Sequence, residues 1–202
     1  MNKSHLIVFT GLPGTGKTTF SRQVATALNV PLIGKDDIKE IMYDNIGWSD
    51  KAFSAKLAHA TFGIMDYITE QHLKTGISIA LESNYSPKLA SERFQSWQKT
   101  YGCNIVQIVC RTDIDVLARR CFDRQHSDRH PGHNDTGTVE GYKADFELRI
   151  ENGEDQPLTV DGPVKIVDTT DSATVDIGKI VEWIKNSAGT KSKQLGETGN
   201  GN

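Results

Sequence analysis

No run in this 202-residue chain approaches the ~18 consecutive apolar residues of a membrane-spanning helix, so no span is expected. The one apolar stretch near Met1 is too short for the core of a signal peptide and is read as a first strand. Charge of one sign is also missing. Lys and Arg number 23 against 26 Asp and Glu, and the net charge of −3 points to no surface built to coat nucleic acid. An aromatic-rich basic groove of the kind that stacks bases is absent as well. Cysteine is scarce: Cys103, Cys110 and Cys121 are odd in number, lack metal-type spacing, and read as reduced, mostly buried thiols. These absences make the cytoplasm the expected location. The length suits one compact domain with a single substantial core.

What is present begins with Gly11-Leu12-Pro13-Gly14-Thr15-Gly16-Lys17-Thr18, a complete G-x-x-x-x-G-K-[ST] phosphate loop that runs on into Thr19. The apolar stretch His5–Phe9 precedes it and a helical stretch, Thr19–Leu28, follows. Strand, glycine-rich turn and helix are the setting this motif needs. Glycines let backbone N–H groups converge on phosphate oxygens, and the helix adds its positive end. Lys17 is expected to reach the β- and γ-phosphates, and the Thr18 hydroxyl to ligate Mg²⁺. The chain is therefore expected to bind a nucleoside triphosphate.

Four further strand-like runs, Val30–Ile33, Ile77–Leu81, Ile105–Val109 and Val164–Val167, alternate with helical stretches. Those stretches are Asp37–Tyr43, about Asp50–Lys74, Pro87–Thr100, Ile114 to about Arg124 with Asp113 as N-cap, and Val175–Lys185. Such alternation predicts an α/β fold, a parallel sheet with helices on both faces. Residues 1–186 form the expected domain. From Ser187 the composition turns to Gly, Ser, Thr, Asn and Lys, which predicts a disordered tail over 187–202.

Ligands of open α/β sheets sit beyond the carboxyl ends of the strands. Here those ends carry the phosphate loop, Lys35-Asp36-Asp37, Glu82-Ser83-Asn84, Arg111-Thr112-Asp113 and Asp168-Thr169-Thr170. Asp36 is the candidate base that orients an acceptor hydroxyl and takes its proton. Either Asp of the pair also suits the N-cap of the next helix. Lys39 is suited to hold an acidic group on the acceptor, and the stretch 41–74 is expected to wall the acceptor pocket. Glu82 is a candidate for the magnesium shell or for an acceptor contact, or else a strand-end acid bonded to a backbone amide. No Asp-Glu pair ends that strand, which argues against a water-activating ATPase.

Arg120 and Arg124 stand one helical turn apart on one face, placed to clamp a transferring phosphoryl group. The alternative is a solvated basic face paired with Asp113, Asp115 and Asp123. The long polar segment of about 125–137 reads as a lid that brings Arg129 into the site on closing. Its His126, His130 and His133, with Asp128 and Asp135, fit no tight zinc spacing.

The phosphate loop, the Lys35-Asp36-Asp37-Ile38-Lys39 stretch and the arginine pair together resemble the small P-loop kinases, an AAA-domain ATP-binding kinase family. The resemblance spans roughly residues 5–185. It is nearest to the branch of phage polynucleotide kinase, zeta-toxin-like kinases and chloramphenicol phosphotransferase. It implies a five-stranded parallel sheet in the order 2-3-1-4-5, Asp36 activating the acceptor hydroxyl, Arg120 and Arg124 at the transferring group, and Asp168-Thr169-Thr170 beside adenine. The expected activity is transfer of the γ-phosphoryl of ATP, with Mg²⁺, to a hydroxyl of a small-molecule or nucleotide-type acceptor. Polynucleotide 5′-OH phosphorylation is an alternative, though nucleic acid is not favoured. A nucleotide-dependent ATPase or switch acting on a protein partner is the other.

Overall fold

A computed structural model describes residues 3–127 and 129–189. Five strands alternate with seven α-helices along them. The strands are β1 (His5–Thr10), β2 (Leu32–Gly34), β3 (Ile79–Glu82), β4 (Asn104–Arg111) and β5 (Val164–Asp168). The helices are α1 (Lys17–Leu28), α2 (Lys35–Ile46), α3 (Lys51–Lys74), α4 (Pro87–Tyr101), α5 (Ile114–Arg124), α6 (Val139–Glu151) and α7 (Ile177–Gly189). All strand pairings are parallel and the order is β2-β3-β1-β4-β5, the topology that the family resemblance implied.

The strands are apolar on both faces because helices cover both. Leu6, Val8, Ile79, Leu81 and Ile105 pack on Met65 of α3 and on Phe94 and Trp97 of α4. Ile7, Phe9, Ala80, Val106 and Ile108 pack on Phe20 and Val24 of α1 and on Ile180 and Ile184 of α7. A third, smaller cluster joins Leu12, Leu117, Cys121 and Phe146, tying the phosphate loop to α5 and α6. Cys103, Cys110 and Cys121 are all buried and unpaired, as their scarcity and spacing suggested.

Several boundaries differ from the sequence expectation for local reasons. Helix α6 was not anticipated. It buries one residue, Phe146, so its apolar period is nearly silent, although Thr138 caps it by accepting from the Gly141 N–H. Strand β3 starts at Ile79 rather than Ile77, which is exposed. Pro31 lies just outside β2, where its carbonyl accepts from the Ala80 N–H. Helix α1 begins at Lys17, two residues early, and α7 runs to Gly189, past the boundary set at 187. The remainder of the expected tail, 190–202, lies outside the described residues.

One buried polar contact holds the connection between α6 and β5 against the sheet. Gln107 of β4 is 0% exposed; its Oε1 accepts from the Leu158 N–H at 2.8 Å and its Nε2 donates to the Leu158 carbonyl at 3.1 Å. Replacement by an apolar residue of similar size leaves the Leu158 N–H buried and unpaired, at about 1–3 kcal/mol, while the Leu158 carbonyl keeps its bond from the Val160 N–H at 3.0 Å. Gln107→Leu is therefore expected to lower unfolding free energy by about 1–3 kcal/mol in urea denaturation, with the slope unchanged.

Candidate active site

The phosphate loop takes its shape from close packing beneath it. Gly14 has φ 86°, and a Cβ there would stand 2.7 Å from the Cys121 Sγ, so neither the backbone nor the space admits a side chain. Leu12 and Thr15 turn their side chains inward and leave only backbone toward the loop's concave side, the Thr15 hydroxyl donating to the Leu12 carbonyl at 2.9 Å. Gly16 (φ 75°) is the N-cap of α1 and supplies no capping side chain. The first N–H groups of α1 therefore have no partner within the helix, the arrangement that receives a phosphate.

Strand pairing puts Glu82 next to this loop. The β1–β3 register sets Phe9 opposite Glu82, and the carboxylate, 3% exposed, faces the loop's charged residues. The Thr18 hydroxyl donates to Glu82 Oε2 at 3.0 Å, and Lys17 Nζ stands 3.8 Å from Oε1 while donating to the Leu12 carbonyl at 3.4 Å. Burial raises the carboxyl pKa of Glu82, against the pull of Lys17. Glu82 bonds to side chains of the loop rather than to a backbone amide, one of the three readings open to it from sequence. Thr18 and Glu82 offer two adjacent oxygen donors with no soft ligand beside them, a set that fits Mg²⁺.

Opposite the loop stands Asp36. It lies in the first turn of α2, whose N-cap is Gly34, so neither Asp36 nor Asp37 is the cap expected from sequence. The helix starts one residue before the pair, because β2 feeds into it directly. The two carboxylates diverge. Asp37 bonds Arg22 at 2.5 Å near the surface, whereas Asp36 lies 3.6 Å from Lys35 Nζ and 3.3 Å from Arg129 Nη2. Burial alone would raise the Asp36 pKa, but Lys35 and then Arg129 outweigh it and hold the carboxyl well below the usual carboxylate range. Lys35 is kept in place by the Asn84 side chain, its Nζ donating to Oδ1 at 2.8 Å.

Lys39 is buried, its ammonium donating to Ser54 Oγ at 2.9 Å, and Ser54 in turn hydrogen-bonds the Tyr43 hydroxyl at 2.7 Å. Among the described residues it has no carboxylate partner. Its cavity measures about 540 Å³ and is shared by Lys17, Thr18, Thr19, Lys35, Asp36, Asp37, Lys39, Glu40, Asn84 and the loop glycines Gly14 and Gly16. Arg120, Arg124, Arg129, His133 and Asp135 close its other side. None of its lining comes from 41–74, contrary to expectation. Helix α3 gives its buried residues, Leu57, Met65 and Leu73 among them, to the interior and reaches the site only through Ser54 behind Lys39.

The arginines of α5 separate as well. Arg120 Nη1 and Nη2 donate to the Thr169 and Thr170 carbonyls at 3.0 and 2.9 Å, fixing Arg120 to the end of β5. It also lines a second cavity of about 260 Å³ with Phe20, Gln23, Thr169, Val175 and Ile177, against the outer side of the phosphate loop. Arg124 faces the main cavity and pairs with Asp135 at 3.3 Å. The alternative pairing with Asp113, Asp115 and Asp123 does not form: Asp113 caps α5 and Asp115 binds Lys143 at 2.6 Å.

The segment read as a lid is docked. His133 meets Glu40 at 2.7 Å, His130 stands 3.3 Å from Asp44, and the His130 ring stacks on Tyr43 with centroids 4.9 Å apart. Arg129, expected to enter only on closure, is already inside the main cavity. Asp128 lies outside the described residues, and the three histidines of the segment engage α2 or, for His126, the Phe122 carbonyl rather than one another. Ser54 was not singled out from sequence, and Lys35, Asn84 and Asp135 were named there without these partners. Only their position reveals them, since each is an ordinary polar residue in a loop or helix turn.

Comparison with known proteins agrees with this geometry. A solved protein of Chloroflexus aurantiacus J-10-fl that carries a provisional kinase designation is 36% identical, with a TM-score of 0.82 over 93% of this chain and 99% of its own. More distant matches share the fold alone. A shikimate kinase from Bacteroides thetaiotaomicron (16% identity, TM-score 0.52) covers 90% of this chain and 96% of its own. A sugar kinase from Janibacter sp. HTCC2649 (13% identity, TM-score 0.53) covers 92% and 94%. Residues 6–149, well over half of the chain, match the family model described as an AAA domain, and the chain belongs to that family.

Proposed function

We propose that this chain is a kinase that transfers the γ-phosphoryl group of ATP, with Mg²⁺, to a hydroxyl of a small hydrophilic acceptor. The observation that carries the reading is one cavity holding the phosphate loop on one side and the ionised Asp36 on the other. The first N–H groups of α1 and Lys17 bind phosphate oxygens. Thr18 and Glu82 would hold Mg²⁺, which would supply positive charge beside the phosphates. Asp36 accepts a hydrogen bond from the acceptor hydroxyl and takes its proton as that oxygen bonds to the γ-phosphorus. The bond to ADP breaks with its electron pair on the leaving oxygen. Arg124, and with it Arg120, stabilises the charge spread over the transferring group.

The acceptor half of the cavity is lined by Lys35, Asp36, Lys39, Glu40, Asn84, Arg129 and His133, with no Phe, Tyr, Trp or aliphatic side chain among them. The large aromatic faces on which bases are usually stacked are not in this lining, which favours a compact polyhydroxyl compound over a polynucleotide. The buried Lys39 suits an acidic group on that compound. The reading resembles the polynucleotide-kinase, zeta-toxin and chloramphenicol-phosphotransferase branch in mechanism rather than in substrate. The segment 125–137 acts as the lid. None of the described helices is long and apolar enough to cross a membrane, and the three unpaired thiols suit a cytoplasmic enzyme. Labelled ATP screened against sugars, antibiotics, nucleosides and 5′-OH oligonucleotides tests the reading directly. Turnover that stays slow with every hydroxyl compound and rises only with a protein partner would point to a switch instead.

Two sets of variants follow from the geometry. Lys17→Ala is expected to remove transfer with the fold intact. Asp36→Asn removes the carboxylate while keeping its shape, and should cut turnover by about 10² or more in a coupled assay. Because Lys35 and Arg129 keep Asp36 ionised well below the usual carboxylate range, loss of activity on the acid side should not follow an ordinary Asp titration.

The arginines should differ in kind. Arg120→Ala is expected to lower kcat and also to raise KM for ATP and lower Tm, because Arg120 additionally ties α5 to the end of β5. Arg124→Ala should lower kcat with little change in KM, and Arg124→Lys should recover part of it. Equal effects of the two alanine variants on both constants would refute this division.

A further inference from the structure

Arg129 lies on no helix, yet its side chain is only 18% exposed. Contacts on both sides of it fix its position. His133 and His130 fasten the following turn to Glu40 and Asp44 of α2, and a Cβ at Gly132 would stand 2.8 Å from the Tyr43 ring. This docking brings Arg129 Nη2 to 3.3 Å from Asp36 Oδ2 and Arg129 Nε to 2.5 Å from Asp135 Oδ2. The same Asp135 oxygen stands 3.3 Å from Arg124 Nη2. Lys35 covers the other Asp36 oxygen at 3.6 Å. Each oxygen of the candidate base thus has a cation of the protein beside it, with the Asp36 side chain still 34% exposed.

A carboxylate beside a bound γ-phosphate presents a hazard as well as a use. In the absence of acceptor, water can take the acceptor's place. Its oxygen would bond to the γ-phosphorus, its proton would pass to Asp36, and the bond to ADP would break with the electron pair on ADP, releasing phosphate. We infer that Arg129 is a gate on Asp36: its guanidinium holds the carboxylate oxygen against water and yields it to the acceptor hydroxyl. Asp135 is the second partner that retains Arg129 at the site after it yields. This inference rests on the kinase reading above. The electrostatics agree, since Arg129 is one of the cations that make Asp36 a weaker base, and its withdrawal strengthens the base as the acceptor arrives. Arg129 is in this sense a positioning residue acting through Asp36.

The test is phosphate release from MgATP with no acceptor added. Wild type is compared with Arg129→Gln, Arg129→Met, Arg129→Lys, Asp36→Asn and the double variant Arg129→Gln/Asp36→Asn. Removing the guanidinium is expected to raise hydrolysis about tenfold in the Gln and Met variants, a fraction of what a general base contributes. The Lys variant, which keeps a cation, should show a smaller rise, and the double variant should fall back to the level of Asp36→Asn. Unchanged or slower hydrolysis in the Gln and Met variants overturns the gate, as does a rise that persists in the double variant. Binding of a fluorescent ATP analogue separates the two levels. A wild-type protein that binds none in the presence of Mg²⁺ overturns the kinase reading and the gate with it. Binding without increased hydrolysis in the variants overturns the gate alone.

Discussion

Mutual repulsion among cations is the constraint on which this site depends. Lys17, Arg22, Lys35, Lys39, Arg120, Arg124 and Arg129 all line one cavity of about 540 Å³. In a partly buried space such charges repel strongly unless each has a partner. The partners are dispersed with little redundancy: Glu82 for Lys17, Asp37 for Arg22, Asp36 for Lys35 and Arg129, and Asp135 for Arg124 and Arg129. Arg120 relies on two backbone carbonyls and Lys39 on a serine hydroxyl. A polyanionic ligand fits this site because it supplies negative charge where the protein itself supplies least.

The scaffold makes that crowding tolerable through rigidity beneath it. Leu12 of the phosphate loop packs with Leu117 and Cys121 of α5 and with Phe146 of α6, so the loop and the arginine helix rest on one apolar cluster. The side-chain-free Gly14 lets Cys121 approach directly from below. Substitutions in this cluster are expected to act on the loop and on arginine placement together, because both elements rest on it. Core residues here therefore have consequences at the site without touching any ligand.

Helix α2 carries two tasks along one side, and Glu40 shares in both, lining the cavity and meeting His133 of the docked segment at 2.7 Å. Asp36, Lys39 and Glu40 face the cavity, while Tyr43 and Asp44 anchor the segment that brings in Arg129. Asp36 and the docked segment are thereby referred to the same helix, which sets the distance between Asp36 and Arg129. The docked segment owes little to hydrophobic burial. Ion pairs and aromatic stacking hold it, which are contacts that solvent can replace at modest cost.

Much of this protein was legible in one dimension because its chemistry is local. The phosphate loop is eight consecutive residues between a strand and a helix, and apolar periodicity located all five strands within a few residues. Glu82 stood out because it directly follows an apolar run and Asp36 because it lies just beyond one, after Gly34 and Lys35, and such positions meet at one edge of a parallel sheet. The tertiary structure alone decided the partnerships. It put Asp36 with Arg129 across 93 residues and Thr18 with Glu82 across 64, and it tied Arg120 to carbonyls about 50 residues away. It also lined the main cavity with Lys39, Glu40 and residues of the docked segment rather than with 41–74, and supplied α6, whose single buried side chain leaves no periodic trace. Local sequence determines which groups reach the sheet edge, because backbone conformation and periodicity are short-range properties. Which charges then pair depends on distances between elements far apart in the chain, and these exist only once the core has closed.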